Sequence, residues 1–163
     1  MENVHKILII DDESYIHDAV KKLFPPKKNS NSTETIPQDL FGVKKEDNNW
    51  DVEFISALNG EDGFNFYKSA KKAENPISVV MCDMRMPGWD GMKTSMKIAE
   101  FDPTVILFIC TAFFDFDIKD LQKNIKMKHM LEVVNKPFNP KKLKEFLIKN
   151  LENAKMQKSL LGN

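Results

Sequence analysis

Five polar residues stand at the ends of apolar segments, and their chemical types could together carry out phosphoryl transfer. Asp11 and Asp12 follow the first such segment, and Asp83 follows the third. Thr111 and Lys136 end the fourth and the fifth. Grouped carboxylates repel one another and call for a hard cation such as Mg²⁺, which prefers oxygen ligands. A carboxylate can attack phosphorus to form an acyl phosphate, while a hydroxyl and an ammonium bind phosphoryl oxygens.

Each of these residues also has an ordinary structural interpretation. Asp11 and Asp12 could be a solvated strand end or a helix cap, and Asp83 could form a turn. Thr111 taken alone is more often structural, and Lys136 lies in a lysine-rich region where most lysines are solvated. Their joint occurrence at the ends of apolar segments favours the chemical interpretation.

The apolar segments are short and rich in β-branched residues, which is typical of buried strands in a parallel sheet. The predicted strands cover residues 6–10, 52–57, 77–82, 104–110 and 130–134. Segments with helical periodicity separate them. The predicted helices cover about residues 14–24, 61–73, 92–101, 116–126 and 140–158. Ser14 is predicted to cap the first helix, and Pro25-Pro26 to end it.

Strand and helix alternate five times along the chain, which predicts an α/β fold with a parallel sheet covered on both faces. Right-handed crossovers leave few topologies, and the doubly wound, flavodoxin-like strand order 2-1-3-4-5 is the natural one at this length. Ligands bind such sheets beyond the carboxyl ends of the strands, at the switch point between strands 1 and 3. The five polar residues are therefore expected to converge there.

Residues 26–50 interrupt this alternation between the first helix and the second strand. The segment is polar and rich in turn formers at its start, which predicts an inserted loop. Leu40 and Phe41 form a brief apolar patch that could dock the loop back onto the body. We predict one domain over residues 1–150, with residues 151–163 as a C-terminal helix extension or linker.

Composition excludes several classes of protein. The 24 Lys and Arg residues balance the 24 Asp and Glu residues, so the net charge gives no sign of direct nucleic-acid binding. Cys82 and Cys110 lie in apolar segments, which argues against a zinc site and suits a reducing, cytoplasmic compartment. No apolar run approaches the roughly 18 residues of a membrane helix, and the first one is too short for a signal peptide.

Four segments resemble the signature segments of response-regulator receiver domains, the CheY-like family. They are Ile7–Glu13, Met81–Gly91, Cys110–Ala112 and Asn135–Phe138. They occur in the family's order at the predicted strand ends, and the resemblance covers nearly the whole chain outside residues 26–50. Any one segment is a weak signal, whereas all four together are a strong one. The sequence Arg-Met-Pro-Gly-Trp-Asp-Gly at residues 85–91 and the Leu-Phe-Gly of the insertion also resemble N-terminal receivers of longer bacterial signalling proteins.

The resemblance implies an Mg²⁺ site and a phosphoacceptor. Asp83 corresponds to the aspartate that takes the phosphoryl group. Asp12 corresponds to a direct metal ligand and Asp11 to an acid that acts largely through water. The backbone carbonyl of Arg85 would complete the protein ligands together with Asp83.

The resemblance also implies roles for residues after the fourth and fifth strands. Thr111 would be the switch hydroxyl and Lys136 the phosphate-binding lysine, with a cis peptide bond before Pro137. Many receivers carry an aromatic residue where this chain has Val133, so the outward signal need not use an aromatic rotamer. Phe113 is bulky and could shield an acyl phosphate from water, which would prolong the phosphorylated state.

Three functions follow from these patterns. The first is a two-component phosphorylation switch that receives its phosphoryl group from a sensor histidine kinase or a phosphotransfer protein. It would act on an output module in cis or on a protein partner, a homodimer being left open, and would catalyse only its own phosphorylation and dephosphorylation. The second is a phosphorylation-independent interaction module on the same fold. The third is an aspartate-nucleophile phosphatase, for which residues 26–50 are too short and polar to form a cap. His17 is predicted to be a packing or surface residue rather than a ligand.

Overall fold

The computed structural model of the chain describes residues 4–25, 50–112, 123 and 132–161. Its centre is a parallel sheet of five strands in the order β2-β1-β3-β4-β5, as the sequence predicts. The strands are β1 His5–Ile10, β2 Val52–Ala57, β3 Val79–Asp83, β4 Leu107–Thr111 and β5 Glu132–Asn135. The switch point between β1 and β3 therefore lies in the middle of the sheet.

Four described helices cover the sheet on both faces. They are α1 Ser14–Lys21, α2 Gly60–Lys72, α3 Gly91–Phe101 and α4 Pro140–Leu161. The apolar residues of α1 and α4 share one buried cluster, and those of α2 and α3 share the other. The predicted insertion, apart from Trp50 at its end, the predicted helix at 116–126, apart from Lys123, and Phe113 lie outside the described residues.

The central strands are buried on both faces, which explains their nearly continuous apolar sequence. Every residue of β3 and of β4 is buried. Cys82 contributes to the cluster beneath α2 and α3, and Cys110 to the cluster beneath α1 and α4. Both are free thiols, as the sequence predicts.

Two predictions about α1 are wrong. The N-cap residue is Glu13 rather than Ser14, and its side chain makes no capping hydrogen bond. The helix ends at Lys21, before it reaches Pro25-Pro26. The turn that follows lets Phe24 fold back onto the sheet, where its ring lies 6.0 Å from that of Phe54. Helical spacing alone therefore places Phe24 on the helix, although Phe24 packs in the core after the helix has ended.

β4 starts later than predicted because of a local hydrogen-bonding arrangement. Thr104 donates from its backbone N–H and from its hydroxyl to Asp102 Oδ1, at 3.0 and 2.6 Å. These bonds hold the chain in a turn, so ladder pairing begins only at Leu107. β3 likewise begins at Val79 rather than at residue 77.

α4 runs without a break through residue 150. Its buried stripe is Leu143, Leu147 and Leu151, and Phe146 packs edge-on against Phe108 with ring centroids 4.9 Å apart. The stripe agrees with the predicted one, while the division at residue 150 stays a prediction. No helix within the described ranges combines the length and the apolar character that crossing a membrane requires.

Candidate functional site

The carboxyl ends of the parallel strands bring the predicted residues to one edge of the sheet. Asp83 is the last residue of β3 and Thr111 the last of β4. Asp11 directly follows β1, and Lys136 directly follows β5. All four are buried, with 8% or less of each residue exposed. The parallel pairing of the neighbouring strands β1, β3, β4 and β5 places these residues together.

Lys136 joins the two buried carboxylates. Its Nζ lies 2.7 Å from Asp11 Oδ2 and 2.8 Å from Asp83 Oδ1. Glu13 Oε2 lies 3.5 Å from the same ammonium. We did not single out Glu13 from the sequence, although its place as a third acid directly after β1 was a usable signal. The cluster thus carries three carboxylates around one ammonium.

Backbone N–H groups hold the remaining carboxylate oxygens. Asp83 Oδ2 accepts a hydrogen bond of 2.9 Å from the Arg85 N–H, and Asp11 Oδ1 accepts one of 3.0 Å from the Glu13 N–H. The Asp11 N–H itself donates to the carbonyl of Ala57 at the end of β2, at 3.1 Å. Both carboxylates are therefore fixed in direction by their own loops, independently of Lys136.

Burial and charge act in opposite directions on this cluster. Burial raises the pKa of Asp11, against the opposing effect of its hydrogen bond with Lys136. Burial alone would lower the pKa of Lys136, but its hydrogen bonds with Asp11 and Asp83 raise it overall. Lys136 therefore stays an ammonium at neutral pH, ready to bind an anion.

The residues at this edge of the sheet supply oxygen donors of the kind that a hard metal ion needs. Asp11, Asp12, Asp83 and the Arg85 carbonyl offer only oxygen atoms, which is the donor chemistry that Mg²⁺ prefers. Asp12 is exposed beside the buried pair. As placed, however, no three acidic, His or Cys side chains of the described chain are grouped closely enough to hold a metal ion. Lys136 lies between Asp11 and Asp83 in this arrangement, so its ammonium takes the role of the cation there.

The loop after Asp83 is shaped by close packing at Gly91. A Cβ at this position would stand 2.1 Å from the Asp83 carbonyl oxygen, so only glycine lets α3 begin here. The Gly91 N–H donates to the Met84 carbonyl at 2.9 Å. Trp89 packs against Phe64 of α2 at 6.0 Å between centroids, with Lys93 Nζ 4.5 Å above its ring.

Other predicted features of the site also have a place in the structure. The Lys136-Pro137 peptide bond is cis, as the resemblance implies. Val133 is half-buried on β5, where it packs against the cluster beneath α2 and α3. His17 is buried on α1, which agrees with a packing residue and not with an open ligand.

The Response regulator receiver domain family matches residues 47–148, a span from just before β2 into α4. The positive alginate biosynthesis regulatory protein of Pseudomonas aeruginosa is 26% identical over 96 residues. That match covers 54% of this chain and only 37% of the relative, so the chain spans about a third of the relative's length.

Solved structures agree with the fold over most of the chain. A response regulator receiver domain protein from Clostridium thermocellum is 26% identical with a TM-score of 0.62, over 96% of this chain and 98% of that one. The CheX-CheY-BeF3-Mg²⁺ complex from Borrelia burgdorferi gives 19% identity and a TM-score of 0.62, over 89% and 87% of the two chains. With the family match spanning more than half of the sequence, this chain belongs to the response regulator receiver domain family.

Proposed function

We propose that this receiver accepts a phosphoryl group on Asp83 from the phosphohistidine of a sensor histidine kinase or a phosphotransfer protein. The observation that carries the proposal is the buried Asp11–Lys136–Asp83 cluster at the carboxyl edge of the sheet. It combines a nucleophilic carboxylate with an ammonium already at its side. A purely structural ion pair would not need the second buried carboxylate.

The chemistry at Asp83 is a transfer between two nucleophiles. A carboxylate oxygen of Asp83 forms a bond to phosphorus while the bond from phosphorus to the donor imidazole nitrogen breaks, and the electron pair of that bond stays on the imidazole. Lys136 shifts from the carboxylates to a phosphoryl oxygen, as a point charge. The Thr111 hydroxyl donates to another phosphoryl oxygen.

Mg²⁺ completes the proposed site. Asp12 and Asp83, with Asp11 through water and the Arg85 backbone carbonyl, would hold it. The ion would neutralise negative charge on the phosphoryl group during transfer. The donor chemistry of these residues supports this assignment, as does the Mg²⁺ named in the complex from Borrelia burgdorferi.

The phosphorylated receiver is proposed to change its interactions with an output module in cis or with a separate protein. The relative from Pseudomonas aeruginosa is named as a regulatory protein and is much longer than the matched part. We infer a cytoplasmic signalling switch that is not an enzyme acting on a separate substrate. The receiver comprises residues 1–150 in this proposal, with 151–163 as an extension.

Intact-mass spectrometry after incubation with acetyl phosphate tests this function. Wild type with Mg²⁺ should gain one phosphoryl group, and the gain should disappear with excess chelator and in Asp83→Asn. Asp90→Asn is the matched control, because Asp90 is an exposed aspartate of the same loop and asparagine caps α3 equally well. It should gain the group as wild type does.

Two other outcomes would contradict the assignment of Asp83 as the phosphoacceptor. An adduct that persists in Asp83→Asn would place the phosphoryl group on another residue. No adduct on wild type under any condition would favour the phosphorylation-independent interaction module on the same fold.

A further inference from the structure

His17 is a buried histidine on the inner side of α1, with only 3% of the residue exposed. Its ring Nε2 lies 2.8 Å from the backbone carbonyl oxygen of Asp11. A carbonyl oxygen can only accept a hydrogen bond, so Nε2 must carry the proton and donate it. The first helix is thereby tied to the end of β1 by a side chain.

The other ring nitrogen shows that this contact is costly to maintain. His17 Nδ1 is buried and has no hydrogen-bond partner among the described residues. A buried polar atom without a partner lowers stability. A leucine of similar size at this position would avoid that cost. The inner neighbours of His17 on α1, Ile16 and Val20, are apolar as packing alone requires. What a leucine could not supply is the hydrogen bond to Asp11.

That hydrogen bond fixes a peptide plane inside the proposed site. The Asp11 carbonyl and the Asp12 N–H belong to one planar unit, so holding the oxygen sets the direction in which Asp12 leaves it. The Asp11 side chain is already held by the Glu13 N–H and by Lys136. Asp12 is exposed. The point from which its side chain leaves the chain is set by the backbone at this peptide.

We propose that His17 is a positioning residue, which holds the Asp11–Asp12 peptide so that the Asp12 carboxylate faces the cation site. The inference rests on the proposed Mg²⁺ site and adds to it a residue outside the ligand set. It resembles the outer hydrogen bonds that orient ligands in metal sites, whose loss typically weakens metal binding about 10–100-fold.

The test measures binding of Mn²⁺, an oxygen-preferring probe, from the electron paramagnetic resonance signal of the free ion. His17→Leu should raise the dissociation constant about tenfold. His17→Gln keeps an N–H donor at a similar reach and should stay within about twofold of wild type, because the hydrogen bond is what matters. Val20→Ala damages the packing of the same helix without touching Asp11, and should also stay within about twofold.

A tautomer measurement on wild type complements the variants and does not depend on their folding. Long-range ¹H–¹⁵N correlation spectra should show a proton on Nε2 of His17. The opposite tautomer would overturn the inference, because Nε2 could then not donate to Asp11.

Different results would contradict the positioning role of His17 and the metal site itself. If His17→Leu binds Mn²⁺ as tightly as Val20→Ala does, the positioning role is wrong while the metal site stands. If His17→Gln binds as weakly as His17→Leu, the hydrogen bond is not the cause and the role is again wrong. If wild type binds no better than Asp12→Asn, the metal part of the proposed function falls, and this inference falls with it.

Discussion

Two groups of interacting polar residues surround buried aspartates at opposite ends of the parallel strands. They differ in how many donors each carboxylate has. The site cluster places Asp11 and Asp83 around the single ammonium of Lys136. The second cluster surrounds Asp102, between α3 and β4. Asp102 Oδ2 accepts from the Tyr67 hydroxyl at 2.8 Å and from Lys71 Nζ at 2.7 Å, while Thr104 donates twice to Oδ1.

The pKa values of the two aspartates move in opposite directions. Burial alone would raise the pKa of Asp102, but hydrogen bonds from Lys71, Thr104 and Tyr67 lower it to about 2. Burial raises the pKa of Asp11 in spite of Lys136. Asp102 accepts four hydrogen bonds and has the ammonium of Lys71 to itself. At the site, Asp11 and Asp83 share the ammonium of Lys136, and each accepts one further hydrogen bond from a backbone N–H. A carboxylate cluster short of positive charge is suited to bind a cation or exchange partners, and a satisfied one is suited to hold the fold.

The largest difference between the clusters should appear in stability. Asp102→Asn replaces one acceptor oxygen by an NH₂ donor that faces donors, so we expect the free energy of unfolding to fall by about 2–3 kcal/mol. Asp83→Asn also turns its NH₂ towards a donor, either Lys136 or the Arg85 N–H. It removes a charge that repels Asp11, however, and leaves Lys136 paired with Asp11, so the two effects oppose each other and we expect a change of less than about 1 kcal/mol. Urea unfolding followed by circular dichroism measures both.

An exposed ion pair on α3 supplies the control for this comparison. Lys97 Nζ and Glu100 Oε2 are 3.0 Å apart, with side chains 45% and 60% exposed. Glu100→Gln should change the free energy of unfolding by less than about 0.5 kcal/mol, since solvent screens such pairs. A loss in Asp83→Asn as large as that in Asp102→Asn would contradict the distinction between a site cluster and a structural one.

The contributions of the two clusters to the free energy of unfolding should change in opposite directions as the pH falls. The folded-state pKa of Asp102 lies below its ordinary value of 3.8, at about 2. Its contribution of about 2 kcal/mol is therefore present above pH 3.8 and is lost as the pH falls through about 2. The raised pKa of Asp11 has the opposite effect, because the folded state then binds the proton more tightly than the unfolded chain does.

The measurement is the unfolding free energy of wild type and variants between pH 5 and pH 2.5. The advantage of wild type over Asp102→Asn should shrink as the pH falls. Relative to Asp11→Asn, wild type should instead gain stability towards acid pH. Parallel pH profiles for Asp102→Asn and Asp11→Asn would show that the two carboxylates do not differ as described.

The site was easier to predict from the sequence than the Asp102 cluster. Parallel strands share a carboxyl edge, so residues at strand ends meet whatever the details of packing. That rule sufficed to bring Asp11, Asp83, Thr111 and Lys136 together, and the strand order followed from the alternation. The sequence motifs of the family lie at the same ends, so two independent arguments agreed.

The Asp102 cluster depends on packing between helices, so its contacts could not be predicted from the sequence by the strand-end rule. Tyr67 and Lys71 lie on α2, and Asp102 directly follows α3, so their meeting depends on how the two helices pack together. Sequence periodicity places Tyr67 on a buried face but does not say what its hydroxyl meets. The hydrogen bond of His17 could not be predicted either, because its partner is a backbone carbonyl, which no residue type identifies.

The smallest of these effects on the free energy of unfolding should come from Mg²⁺ binding, which should depend on the site cluster and not on the Asp102 cluster. Mg²⁺ at ten times its dissociation constant should stabilise wild type by about 1.4 kcal/mol, if it binds only the folded chain. Asp12→Asn should lose this gain because it lacks the direct ligand of the proposed site. Asp102→Asn should keep it in full. Urea unfolding with Mg²⁺ or with chelator measures the difference.

Retention of the gain in Asp102→Asn is the informative part of this experiment. The clusters lie at opposite ends of the parallel strands and share no partner in the described structure, so their contributions should add within about 0.5 kcal/mol. A smaller Mg²⁺ effect in Asp102→Asn would mean that the structural cluster helps to hold the site in a cation-binding arrangement. Equal effects in Asp12→Asn and wild type would place the ion elsewhere, and the charge deficit around Lys136 would then serve only the phosphoryl group.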